Sequence, residues 1–159
     1  MSTLAERVVA AMAAKGRTCA TAESCTGGGV GSAITSVAGS SAVFQGGVIS
    51  YANSAKINVL GVSAETLARV GAVSSEVAAE MAVGARRLLG ADFAVSLTGV
   101  AGPGGGSAEK PVGLVWFGLA SSGGVATESL LFHGDRAAVR SAAVDHALAM
   151  LLDAVEGGE

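Results

Sequence analysis

RTCATAESCTGGGVGSAITSVAG, residues 17–39, holds a short apolar run, a serine, three consecutive glycines and then a helical period. RTCATAE reads as a brief buried strand that delivers the chain to Ser24, and GGGVGSAITSVAG as a helix closed by Gly39. A strand, a tight turn and a helix place the turn at the carboxyl edge of a sheet, where the ligand sites of α/β proteins collect. Upstream, LAERVVAAMAAKG has helical spacing, with Thr3 and Glu6 as a capping box and Gly16 as its stop. Downstream, FQGGVISY predicts a strand softened by a glycine pair, ending at Tyr51, and Asn53 is expected to cap a short helix carrying Lys56.

Two more helical periods follow, SAETLARVG and SSEVAAEMAVGARRLLG, with Ser63 and Ser74 or Ser75 as caps and Gly71 and Gly90 as stops. DFAVSLTG is a buried strand that feeds a long glycine loop. VGLVWFGLA and VATESLLFH, joined through SSGG, read as a hairpin, and a last helix begins near Asp135. This order predicts an α/β fold: a three-layer α/β/α sandwich with a mixed, mostly parallel sheet and a C-terminal β-hairpin plus helix. It forms one domain over residues 1–159, with no internal repeat and no low-complexity segment beyond the closing EGGE.

A chain of 159 residues buries enough surface to need no metal or disulfide staple. Its core is built from small side chains, since half the residues are hydrophobic yet only 4% are aromatic. With 14% charged residues the surface is short of charge, and a homo-oligomer, most simply a dimer, is expected. Trp116 and Phe117, adjacent on one strand, point to opposite faces, so both faces need cover.

The ten Lys and Arg are scattered and the net charge is −3, which argues against a nucleic-acid partner. No apolar run reaches the ~20 residues of a membrane span, and Glu6 breaks any signal-peptide pattern, so a cytoplasmic protein without a membrane partner is expected. Cys19 and Cys25 have no nearby histidine to complete a metal site; they read as reduced, structural thiols.

Three separated segments carry the chemistry: AESCTGG, YANSAK at 51–56 and TGVAGPGGGSAEKPVG at 98–113. Ser24 opens a helix, where the amides of Cys25 to Gly28 can hold an oxyanion; the same position also suits a simple N-cap. A serine hydroxyl needs a base, and His133 and His146 stand outside the glycine segments. Lys56 can take that part if burial lowers its pKa, with Tyr51 relaying the proton. The long loop is no Walker motif, because Glu109 precedes Lys110 and Pro111 follows it, but its glycines can offer N–H groups to a carboxylate or phosphate. Two other readings use the same parts: a non-catalytic nucleotide-binding module and an enzyme acting through the Cys25 thiol.

Together AESCTGG, the YxNxxK pattern of YANSAK, and TGVAGPGGGSAEKPVG through VWFGLA resemble the CinA C-terminal domain family, over about residues 5 to 152. The resemblance implies hydrolysis of a small nucleotide substrate, nicotinamide mononucleotide, to nicotinate mononucleotide and ammonia, with no metal and no cofactor. It places the nucleophile on Ser24 and the assisting pair on Tyr51 and Lys56. Substrate contacts are expected from Glu23, Cys25, Thr26, Gly27, Gly28 and Gly46, and from Thr98, Gly99, Ala101, Gly102, Gly105 and Lys110. Gly29 and Gly104 replace larger or more polar residues of relatives, which would widen the pocket or alter its contacts.

Overall fold

The computed structural model describes residues 1–157; the last two residues of the EGGE tail lie outside the described residues. The elements run α1 (Leu4–Lys15), β1 (Cys19–Glu23), α2 (Gly29–Thr35), a 3-10 turn (Ser40–Ala42), β2 (Phe44–Ile49), α3 (Asn53–Leu60), α4 (Ala64–Val70), α5 (Ser75–Leu89), β3 (Phe93–Gly99), β4 (Leu114–Ser121), β5 (Gly124–Leu131) and α6 (Arg136–Glu156). The strands lie side by side as β2-β1-β3-β4-β5. β1 pairs in parallel with β2 and β3, while β3–β4 and β4–β5 are antiparallel, so β4 alone runs against the other four. This is the mixed, mostly parallel sheet with a late hairpin that the sequence predicts.

Local chemistry sets the element ends. Thr3 accepts from the Glu6 N–H at 3.1 Å and Glu6 accepts from the Thr3 N–H at 2.8 Å, closing the capping box of α1, and Gly16 ends the helix at φ 62°. α2 departs from expectation: it starts at Gly29 and ends at Thr35, because Gly27 and Gly28 adopt φ 60° and 97°, which a right-handed helix cannot continue. Residues 24–28 therefore form a turn of their own. Asn53 is the first residue of α3, with Ala52 in the cap position.

Helices α1, α2 and α6 cover one face of the sheet, and α3, α4 and α5 occupy the other. β1 is buried on both sides, with Cys19 in the first core and Ala20 and Ala22 in the second, against Leu60, Val77 and Met81. Small side chains let these layers approach closely. A Cβ on Gly84 would fall 1.9 Å from the Leu60 carbonyl oxygen, so α5 and α3 touch backbone to side-chainless backbone. That contact fixes the seat of α3, the helix that carries Lys56. Phe117 is fully buried, edge-on to Phe132 at 6.2 Å and to His146 at 4.6 Å, and Trp116 on the opposite face is partly covered. Among the described residues no helix is long and apolar enough to cross a membrane.

Candidate active site

The parallel register of β1 and β3 runs one residue past Glu23: the Ser24 N–H donates to the Leu97 carbonyl at 3.0 Å. Its own carbonyl accepts from the Gly27 N–H at 3.1 Å, which bends the chain into the turn. Ser24 thus sits at the carboxyl edge of the sheet, 8% exposed. The Glu23 carboxylate points under α2 rather than into the cleft. It accepts from Thr26 Oγ1 at 2.6 Å and from the N–H groups of Val30 and Gly31 at 2.9 and 3.0 Å, capping α2 from the preceding strand. A buried carboxylate saturated by the protein in this way is an anchor for the turn.

Lys56 comes from α3 and ends beneath the turn. Its Nζ donates to Ser24 Oγ at 3.1 Å, to the Ser50 carbonyl at 2.8 Å and to the Tyr51 carbonyl at 3.2 Å. The residue is 1% exposed, and among the described residues no carboxylate forms an ion pair with it. Burial holds its pKa below the ordinary lysine range, with a smaller opposing effect from Cys25. Three acceptors stabilise the ammonium by hydrogen bonds without neutralising it, so the amine is kept in place while its proton is loosened.

The Ser24–Lys56 pair opens onto a cleft of about 210 Å³ lined by Ser24, Cys25, Tyr51, Asn53, Lys56, Ala72, Val73, Thr98, Gly99, Ala101 and Arg136. A larger groove, about 440 Å³, runs along β5 by Phe93, Leu119, Ser121 and Asp153; its serine accepts from the Gly123 N–H, and among the described residues no hydrogen bond joins it to Asp153. Chemistry, not size, selects the smaller cleft.

The remaining expected residues divide. Tyr51 is 63% exposed, and its hydroxyl accepts from Arg136 Nη2 at 3.4 Å; its carbonyl, not its phenol, meets Lys56. Thr98 is buried and donates from Oγ1 to the Ala72 carbonyl at 2.9 Å, which holds the 71–73 segment over the cleft. Gly99 and Ala101 line the cleft, and the Gly102 carbonyl accepts from Arg136 Nη1 at 2.8 Å. Gly105 lies in the exposed part of the loop, outside the cleft lining. Gly46 sits at the β1–β2 irregularity, against Leu89 of α5 and three pairs back from the strand end. Lys110 donates to the Val70 carbonyl at the end of α4, tying the loop to that helix. Gly29 faces Val144 of α6, where a Cβ would come within 2.9 Å, so it serves helix packing; Gly104 faces open space.

Cys25 is 6% exposed and belongs to the core, and burial pushes its thiol up to about 11, away from thiolate chemistry at neutral pH. The turn also carries free donors: among the described residues no protein group accepts from the N–H of Thr26 or Gly28.

Arg136 and Arg140 were not legible as site residues, although DRAAVR carries a signal. Two arginines in the opening turns of a helix oppose its macrodipole, an arrangement that another partner has to justify. The partners are Gly102 and Tyr51 for Arg136, and the carbonyls of Cys25 and Thr26 for Arg140.

A buried serine–lysine pair at a sheet edge is the equipment of a hydrolase that works without histidine. The chain belongs to the CinA C-terminal domain family, which it matches over residues 1–155. It is 53% identical over 149 residues to nicotinamide-nucleotide amidohydrolase PncC of Escherichia coli (strain K12), covering 93% of this chain and 90% of that one. To the PncC of Enterobacter agglomerans it is 55% identical over 138 residues, covering 86% and 84%. Among solved structures it is similar to the competence/damage inducible protein CihA of Agrobacterium tumefaciens, with TM-score 0.93, 45% identity and coverage of 98% and 99%. Competence damage-inducible protein A of Klebsiella pneumoniae superposes with TM-score 0.94 at 40% identity, covering 98% and 97%.

Proposed function

We propose that this protein hydrolyses the carboxamide of nicotinamide mononucleotide to nicotinate mononucleotide and ammonia, with Ser24 as nucleophile and Lys56 as its base. The observation that carries the reading is the 3.1 Å contact between Ser24 Oγ and a fully buried lysine that forms no ion pair among the described residues. The named activity of the E. coli relative at 53% identity supports the substrate.

In its neutral form Lys56 takes the Ser24 proton as Oγ attacks the carboxamide carbon, and charge gathers on the carboxamide oxygen. The free amides of the 24–28 turn are the donors available to that oxygen. Collapse breaks the C–N bond, and the Lys56 ammonium returns its proton to the departing nitrogen as ammonia leaves. A water molecule, deprotonated by the same amine, then attacks the ester carbon; Ser24 recovers its proton and the carboxylate product is released. The direct contact supports Lys56 as the immediate base, and Tyr51, whose hydroxyl meets Arg136, is assigned to the cleft rim. Lys110 is committed to Val70, so Arg136 is the cation we assign to the substrate phosphate, together with the glycine loop. Cys25 has no part in bond making.

The test is ammonia release from nicotinamide mononucleotide by the purified protein, with Ser24→Ala as control. No release above that control overturns the reading in favour of a binding module.

The proposal extends to a homodimer. β5 is an outer strand, and Val125, Leu130 and Leu131 on it are 40%, 36% and 49% exposed, with no Lys or Pro in residues 124–131 to guard the edge. A second copy of the chain is the partner such an edge fits best.

A further inference from the structure

We infer that Arg140 is a positioning residue that aims the backbone amides of the nucleophile turn, an inference that rests on the amidase reading. Arg140 lies one helical turn beyond Arg136 on α6. It donates from Nε to the Cys25 carbonyl at 3.1 Å and from Nη2 to the Thr26 carbonyl at 3.2 Å, across 115 and 114 residues of sequence. A planar guanidinium that holds two consecutive carbonyls leaves both peptide units one orientation. In a trans peptide the C=O and N–H directions are opposed, so turning the Cys25 carbonyl toward α6 turns the Thr26 N–H away from it.

The two fixed amides have different fates. The Gly27 N–H donates to the Ser24 carbonyl at 3.1 Å, while the Thr26 N–H has no protein acceptor among the described residues. The side chain of Thr26 is meanwhile held from the opposite direction by Glu23 at 2.6 Å. Glycine at position 27 keeps room for the arrangement: a Cβ there would lie 3.3 Å from Arg140 Nη2. Arg140 itself is absent from the cleft lining, so it works through the turn and not on the substrate. Donors aimed before the reaction stabilise a developing oxyanion without reorganising at that moment, and losing one oriented donor costs about 10²–10³ in kcat.

Arg140→Lys keeps the charge but removes the fork. Steady-state ammonia release should show kcat reduced about 10–100-fold, a part of the full donor effect because the turn keeps its other bonds. KM and the inhibition constant of the product, nicotinate mononucleotide, should stay within about twofold, and the melting temperature within about 2 °C. A kcat within threefold of the parent overturns the inference, as does a rise in KM with kcat intact, which would make Arg140 a substrate contact. Arg140→Gln is read by the same criteria if the lysine variant does not fold, and loss of folding in both assigns Arg140 to stability alone. A parent without ammonia release overturns the amidase reading and this inference together; an active parent matched by Arg140→Lys overturns this inference only.

Discussion

Lys56 faces two opposed demands: burial makes its ammonium unfavourable, and that same burial makes the amine available as a base. Removal of Ser24 Oγ should leave the fold intact, since its N–H and carbonyl bonds to Leu97 and Gly27 are backbone ones, and should lower kcat about a thousandfold or more. Residual turnover within threefold of the parent would remove Ser24 from the mechanism. For Lys56→Ala the loss should be of the same order, with the acidic limb of the kcat profile abolished; that limb in the parent reports deprotonation of Lys56, below the ordinary lysine pKa. Lys56→Arg should not restore activity, because guanidinium does not give up its proton near neutrality. Tyr51→Phe should cost less in kcat than Lys56→Ala and express itself in KM, since the hydroxyl meets Arg136 at the rim. An equal loss of kcat in both would return proton relay to Tyr51.

At the scale of elements, the N-terminal turns of α6 join parts that are distant in sequence. Arg136 bridges Gly102 of the glycine loop and Tyr51 beyond β2, beside the cleft that opens on Ser24. Arg136→Ala should raise KM for nicotinamide mononucleotide about tenfold or more with kcat held within about threefold, the signature of lost uniform binding. The same variant should change little toward nicotinamide riboside, which has no phosphate. An equal penalty on both compounds would show that Arg136 braces the loop and does not read the phosphate. The α3–α5 contact offers a second check. Gly84→Ala places a methyl carbon 1.9 Å from the Leu60 carbonyl, so the helices must part, at a cost of about 1–3 kcal/mol. Since α3 carries Lys56, kcat should fall along with the melting temperature; a variant as stable as the parent would show that the contact is slack.

For the whole molecule, the buried lysine links stability to pH with a definite sign. Its folded pKa is lowered, so between that value and the ordinary lysine pKa the unfolded chain holds more protons than the folded one, and stability rises with pH across that window. Urea unfolding of the parent and of Lys56→Met, followed from pH 7 to pH 10, should show the parent gaining on the variant as pH climbs. Parallel curves would mean that the lysine is not strained by burial. Assembly is the other property at this scale. Light scattering should give twice the mass of the chain at micromolar concentration, and Val125→Lys with Leu131→Lys should return it to the monomer. A monomeric parent would rule the dimer out.

Periodicity, caps and glycine stops determined nearly every element, because these signals are local: the Thr3–Glu6 box, the Ser63 and Ser74 caps and the hairpin turn all act within four residues of their own position. The three glycine segments likewise marked where chemistry sits, since a strand that ends in a glycine turn must deliver its side chain to the sheet edge. Even so, the sequence did not resolve the direction of side chains there. Glu23 turns to the amides of Val30 and Gly31 and Lys110 to Val70, because each found a partner supplied by the packing of another element. The contact between Ser24 and Lys56 crosses 32 residues, and that between Arg140 and Cys25 crosses 115. Such pairs exist only once the layers have closed, so the tertiary structure decided that Lys56 Nζ meets Ser24 Oγ directly, without the Tyr51 hydroxyl between them, and which guanidiniums hold the turn and the rim.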